Sequence, residues 1–268
     1  MWMVIILIAG CMLLCWMSYE ARMHQVNKRE IKLENLPSAF DGSRIFFISD
    51  IHRRELSAEK LQEWKGLVDW VIVGGDIMER NVPLRRVDDN IGVLSSLAPV
   101  YAVYGNHDYK ADPVGLEHIL NHHGVTLLKD ENVNLELGGE HICLTGVDYP
   151  HLKRNDYNPL PPIQEDVKDV CRIVLVHDPM WITCYPELPA ELILAGHTHG
   201  GQITMPFFGP IRLNGFYRKY ASGMFSWNQP KANVQHPQML ISRGFGTRRI
   251  PFRLCCPAEM HVLTLKSR

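Results

Sequence analysis

Hydrophobic and polar positions divide the chain near residue 20. Met1 to Met17 hold no charged side chain, and Trp2, Trp16 and Tyr19 stand near the two ends of that run. Wound as a helix, such a run would span roughly 26 Å against a hydrocarbon core of about 30 Å, and Ser18 and Tyr19 nearly close the difference. Aromatic residues at both ends suit the interfacial belts of a bilayer. A buried core helix is the weaker reading of so uniform a segment, and a cleaved signal would place Lys or Arg ahead of it. Arg22, Lys28, Arg29 and Lys32 follow. The positive-inside rule then predicts a single-pass cell-membrane anchor over 1–19 with the body of the protein in the cytoplasm.

From about residue 31 the pattern changes to short apolar runs broken by Gly, Pro and Asn. Ile31-Lys32-Leu33 alternates as a strand. Ile45 to Ile48 runs into Ser49-Asp50-Ile51-His52, Trp70 to Val73 into Gly74-Gly75-Asp76, and Val100 to Tyr104 into Gly105-Asn106-His107-Asp108. Ile173 to Val176 runs into His177-Asp178, and Leu192 to Ala195 into Gly196-His197-Thr198-His199-Gly200-Gly201. Short apolar runs bounded by turn residues predict buried strands. Between and after the first three lie helix-like stretches over 57–68, 84–97 and 112–123. Strand and helix alternating in this way imply a layered α/β fold, in which binding groups gather where strands end.

Composition narrows the function classes. The 28 Lys and Arg against 29 Asp and Glu leave a net charge of −1, without the basic excess expected of a nucleic-acid binder. At 46% hydrophobic and 21% charged the chain is globular rather than disordered. Its seven cysteines form no CxxC pair, which argues against a disulfide framework and favours a reducing compartment.

Five strands in succession supply Asp, His, Asp, Asn, His, His and His. That set suits a site for two divalent ions sharing a carboxylate. With no thiolate among them, the ions expected are Mn, Fe or Zn rather than Ca, and a structural zinc is disfavoured. If the backbone is extended there, Asp50-x-His52 and His197-x-His199 each point two side chains the same way.

These residues also stand in the order of the calcineurin-like metallophosphoesterases, which the chain resembles over roughly residues 31 to 265. More closely, Ser49-Asp50-Ile51-His52, Gly105-Asn106-His107-Asp108-Tyr109, Gly196 through Gln202, and Ser242-Arg243-Gly244 through Pro257-Ala258-Glu259 resemble its membrane-associated branch. That branch includes YkuE- and YaeI-type phosphoesterases and UDP-2,3-diacylglucosamine pyrophosphatases. The resemblance implies a four-layer α/β/β/α sandwich over 43–268, preceded by the anchor and by a juxtamembrane segment with a first strand over 20–42. It implies a first metal on Asp50, His52 and His199, a second on Asn106, His177 and His197, and Asp76 bridging them. A metal-bridging hydroxide would attack phosphorus. His107 would face the leaving-group oxygen, with Asp108 fixing its tautomer. Glu79 and Asn81 replace the Asp and Gly of protein Ser/Thr phosphatases, and Asp108 replaces their Glu, which places the chain outside that group.

The expected activity is hydrolysis of a phosphate ester or pyrophosphate bond in a small phosphorylated molecule, with lipid- and nucleotide-linked substrates as candidates and no nucleic acid. The alternative is a non-enzymatic scaffold on the same fold, which intact ligand positions disfavour. Arg53, Arg243, Arg248 and Arg249 are candidates for substrate contact, and Arg253 stands with them, because Arg grips phosphate bidentately. His118, His122, His123, His141, His151, His236, His261 and Asp166 read as ordinary surface or packing residues. The stretch 205–238, dotted with Phe207, Phe208 and other aromatics, reads either as a hairpin packed on the body or as a lipid-facing rim.

Overall fold

A computed structural model describes residues 1–150, 157–163, 170–185, 188–227 and 237–268. His151, Asp166 and His236 lie outside the described residues. The strands are β1 (Gln25–Leu33), β2 (Arg44–Ile48), β3 (Trp70–Val73), β4 (Val100–Ala102), β5 (Thr126–Leu127), β6 (Glu131–Leu137), β7 (Glu140–Val147), β8 (Arg172–Val176), β9 (Leu192–Ala195), β10 (Thr204–Met205), β11 (Gly209–Pro210), β12 (Gly223–Ser226), β13 (Gln238–Ile241) and β14 (Glu259–Ser267). The helices are α1 (Trp2–Ala21), α2 (Ala58–Leu61), α3 (Leu84–Ser95), α4 (Pro113–His122) and α5 (Gly215–Lys219). One sheet runs β1-β14-β2-β3-β4-β5, the other β12-β13-β9-β8-β7-β6, and β10 with β11 makes a separate ribbon.

The period of two sorts each apolar run between layers. Ile45, Phe47, Trp70 and Ile72 of the first sheet meet Ile173, Leu175, Leu192 and Leu194 of the second in the central core. Their alternates Phe46, Ile48, Val71 and Val73 face α3 and α4 through Val87, Ile91, Leu94, Leu116 and Leu120. On the second sheet Val174, Val176 and Ile193 face outward against Trp181, Ile182 and the partly buried Phe216 and Tyr220. Burial on both faces is why these parallel strands read as continuous apolar runs. The order of layers is therefore α/β/β/α, with the outer layer of the second sheet made of short helical turns.

Two expectations change. The helix over 57–68 shrinks to α2 and a 3-10 turn at Gln62–Trp64, because Gly66 sits at φ +73 and turns the chain toward β3. The first strand begins six residues earlier than its apolar alternation, at Gln25, and pairs in parallel with β14 along its whole length. Polar Asn27 to Glu30 conceal it, as is common for a half-exposed edge strand. The stretch from Thr204 onward holds the β10–β11 ribbon, α5 and β12, and its aromatics Phe216, Tyr220, Phe225 and Trp227 pack on the second sheet, as the hairpin reading expects.

Candidate metal centre

All seven expected ligands lie just past the ends of β2, β3, β4, β8 and β9, where both sheets present their carboxyl ends. The backbone there is not extended. Asp50, His52, Asp76, His197 and His199 have φ of +54, +52, +51, +70 and +52, the left-handed region. The expectation that two-residue spacing acts through a pleat is therefore corrected: tight turns aim these side chains. Such conformations cost about 1–2 kcal/mol per non-glycine residue and persist only where neighbours hold them. Here Asp50 N–H donates to Gly75 O (2.9 Å), His52 N–H to Asp76 O (3.1 Å) and Gly246 N–H to Asp50 O (2.6 Å). Gly105 and Gly196 leave room for the carboxylates, since a Cβ on the first would collide with Asp76 and on the second with Asp50.

The ligand atoms converge in two groups. His52 Nε2 lies 3.1 Å from His199 Nε2, and His199 Nε2 lies 3.4 Å from Asp50 Oδ1. Asp76 Oδ2 lies 3.6 Å from His52 Nε2 and 3.3 Å from His177 Nε2, so it faces both groups. In the second group His197 Nδ1 lies 3.2 Å from His177 Nε2. Two ligands about 2.1 Å from one ion at a tetrahedral angle stand about 3.4 Å apart, so these separations fit a shared cation. Asn106 Oδ1 is buried without a hydrogen-bond partner, a loss of about 1–3 kcal/mol that a cation would offset. Asp50, Asp76, His52 and His177 are each within 1% of full burial, where unpaired carboxylates would be costly.

A second ring of partners orients the imidazoles. Glu79 Oε2 lies 3.4 Å from His52 Nδ1 and 3.9 Å from His107 Nδ1, while its other oxygen pairs with Arg53. Asp178 Oδ2 faces His197 Nε2 at 3.6 Å and accepts from Tyr217 Oη at 2.7 Å. His177 Nδ1 meets Gly74 O at 2.8 Å. The motif pattern singles out neither Glu79 nor Asp178 as a site residue. Sequence proximity does not identify them, since Asp178 adjoins His177 but faces His197, and Glu79 faces His52 and His107 from the Asp76 loop. Ligand histidines do usually donate their second N–H to a carboxylate or carbonyl.

Other assignments shift. Asp108 does not reach the His107 ring; its oxygens accept from Met78 N–H (2.9 Å) and Gly105 N–H (2.8 Å), so it staples two ligand loops together. Among the described residues, Glu79 is the carboxylate nearest the His107 ring nitrogens. Arg243 pairs with Glu259 at 2.5 Å and Arg253 is fully buried, donating to the carbonyls of His199, Arg243, Gly244, Gly246 and Cys256. Neither is free for phosphate. Arg248 and Arg249 line a cavity of about 280 Å³ together with His197, His199, Arg212 and Tyr217. Arg53 keeps 62% of its side chain exposed at the Glu79 edge.

Electrostatics separate the rings. Burial opposes a charge on His177, but the Asp76 carboxylate outweighs it and raises this imidazole to about 10. Burial would likewise raise Asp76, yet His177 and His52 hold it well below the usual carboxylate range. Burial lowers His107 to about 4, and it lowers His197 to about 4. Asp108 rises to about 7 through burial and the nearby Asp76 charge.

Comparison with known proteins fits this geometry. Residues 43–201 match the family model described as calcineurin-like phosphoesterase. The chain is 32% identical to the protein YpbG of Bacillus subtilis (strain 168) over 266 residues, 96% of each chain. It is 27% identical to the phosphodiesterase YaeI of Escherichia coli (strain K12), over 83% of this chain and 82% of that one. Among solved structures it resembles the 5'-nucleotidase precursor of Thermus thermophilus with a TM-score of 0.51 at 14% identity, over 83% of this chain and 54% of that one, a likeness of fold.

Proposed function

The chain belongs to the calcineurin-like phosphoesterases and is a metal-dependent phosphoesterase, and from that premise we propose that it hydrolyses a phosphate ester or pyrophosphate bond at a two-ion centre on the loops described above. The observation that carries this reading is Asp76, whose one oxygen faces both ligand groups at 3.3 and 3.6 Å. In it Asp50, His52 and His199 would hold one ion, Asn106, His177 and His197 the other, and Asp76 would serve both. Ions held there would supply Lewis acidity toward the phosphoryl oxygens and lower the pKa of water.

The chain's own groups do the rest. His107, with 21% of its side chain exposed, stands edge-on to His52 at 5.0 Å and is placed to hydrogen-bond a leaving-group oxygen. Its amide N–H donates to Asp76 Oδ1 at 2.7 Å, which ties that loop to the shared carboxylate. Asp108 holds the same loop from below. Of the candidate arginines, Arg248, Arg249 and Arg53 are left to meet substrate oxygens, with Arg212 beside the first two on the cavity wall. The likeness to YaeI, named a phosphodiesterase, favours a diester. α1, 20 residues long, free of charge until Glu20 and exposed along most of its length, supports a single-pass anchor, with Arg22, Lys28, Arg29 and Lys32 favouring a cytoplasmic body.

The test is a hydrolysis screen of the purified full chain with aryl phosphates, bis-aryl phosphodiesters, cyclic nucleotides and nucleotide-sugar pyrophosphates, each with and without Mn, Fe or Zn. Metal-dependent cleavage of at least one class is expected. Cleavage unaffected by chelation would overturn the two-ion reading.

A further inference from the structure

A second membrane contact emerges from the way the anchor meets the body. α1 does not hang on a free tether. Arg253 N–H donates to Met17 O (3.0 Å), Ala258 N–H to Glu20 O (3.1 Å), and Cys256 N–H to the Glu20 carboxylate (3.2 Å), which is itself buried. Arg54 adds hydrogen bonds to the carbonyls of Arg22 and Met23, both 3.0 Å, which fixes the chain just past the helix.

The segment that grips α1 also carries the β10–β11 ribbon. Leu254 N–H donates to Gln202 O (3.0 Å), Thr204 N–H donates to Leu254 O (2.9 Å), and Ile203 bridges Leu254. Gln202 Nε2 donates to Ile250 O and Phe252 O, closing the base. The same segment touches the metal centre, since Cys256 Sγ and Arg253 both meet His199 O. Membrane helix, ribbon and site mouth are thus held by one stretch, residues 250 to 258.

What the ribbon presents is unusual for a water-facing hairpin. Phe207 is wholly exposed, Phe208 is 76% exposed and Ile211 58% exposed. Charge adds an independent sign. From Leu192 to Ala258 the chain has no Asp or Glu, while Arg212, Arg218, Lys219, Arg248 and Arg249 are exposed. Exposed aromatics on a stretch whose only charged side chains are basic suit the interface of an anionic leaflet.

We propose that the Phe207–Phe208 ribbon inserts into the headgroup region of the same anionic leaflet that α1 leaves, so that the cavity lined by His199, Arg248 and Arg249 opens at the lipid surface. This rests on reading α1 as a membrane anchor, and the experiment separates the two.

Full-length protein carrying p-benzoylphenylalanine in place of Trp2, Phe207 or Leu67, one position at a time, is reconstituted in phosphatidylcholine–phosphatidylglycerol vesicles containing radiolabelled phospholipid and irradiated. Leu67 is the control, half exposed but lying before the amino end of β3, away from the site. Lipid cross-linking at Phe207 should approach that at Trp2 and exceed that at Leu67 on the order of tenfold, because only inserted side chains meet acyl chains. Labelling at Trp2 with none at Phe207 overturns the proposal and leaves the anchor standing. Equal labelling at Phe207 and Leu67 overturns it as random collision. Absence of labelling at Trp2 overturns the anchor and the ribbon contact together.

Discussion

Replacing Glu79 should weaken metal binding without touching a ligand. Its Oε2 sits 3.4 Å from His52 Nδ1, and 9% of its side chain is exposed. Burial would raise the Glu79 carboxyl, but His52 and Arg53 outweigh it and bring it down to about 2, so it is ionised at any working pH. Losing the carboxylate partner of a ligand histidine typically weakens metal binding by about 10–100-fold. Glu79→Gln keeps an acceptor oxygen and should raise the metal concentration at half-maximal activity by about tenfold, the lower end of what outer carboxylates contribute. Glu79→Ala removes the only carboxylate seen to face the buried His52 Nδ1 among the described residues and should raise it about 100-fold. Arg53→Ala removes the other partner of Glu79, a guanidinium that is itself 62% exposed, so a shift within about threefold is expected. The assay is aryl phosphate hydrolysis against free Mn or Zn set by a chelator buffer. Excess metal should restore most of kcat in Glu79→Gln. Unchanged metal dependence in both Glu79 variants would refute this account of the His52 orientation.

Two further outcomes follow from named contacts. His107→Ala should leave metal content intact and slow hydrolysis of poor leaving groups by ~10²–10⁴-fold, with a smaller loss for activated aryl esters; equal losses for both would mean that the ring does not serve the leaving oxygen. Burial would raise the Glu259 carboxyl, but hydrogen bonds from His261 and Arg243 bring it down to about 2. Because this folded-state value lies below the unfolded one near 4.3, its stabilisation is present above about pH 4.3 and is lost as pH falls toward 2, reaching at most about 3 kcal/mol at neutral pH. Glu259→Gln should therefore unfold at lower urea at pH 7, with the gap to the parent closing between pH 4.3 and 2; a gap independent of pH would contradict it.

The ligand motifs were legible because each follows a strand buried on both faces, where an abrupt change from Ile, Val and Phe to Asp, His or Asn marks the turn. What the side chains do beyond that turn was less visible. His107 and Asp108 are neighbours in sequence, which suggested an imidazole–carboxylate pair, yet the turn sends Asp108 into Met78 and Gly105 amides and leaves Glu79 nearest the ring. Arg243, Arg248, Arg249 and Arg253 look alike as letters in a basic stretch. Burial divides them: Arg253 is a buried hub for five carbonyls, Arg243 belongs to Glu259, and only the other two reach the cavity. β6 was equally hidden, because its alternation of Val133, Leu135 and Leu137 with polar residues is diluted at an exposed edge.

Metal stoichiometry in the parent and in Asp76→Asn addresses the two-ion centre most directly. Elemental analysis of the full chain, purified with Mn or Zn present, should find two ions in the parent. Asp76→Asn removes the charge that faces both groups and should hold one ion or fewer while losing nearly all aryl phosphate hydrolysis. A parent protein that hydrolyses aryl phosphate after complete metal removal, or an Asp76→Asn variant that keeps both ions and full activity, would contradict the account.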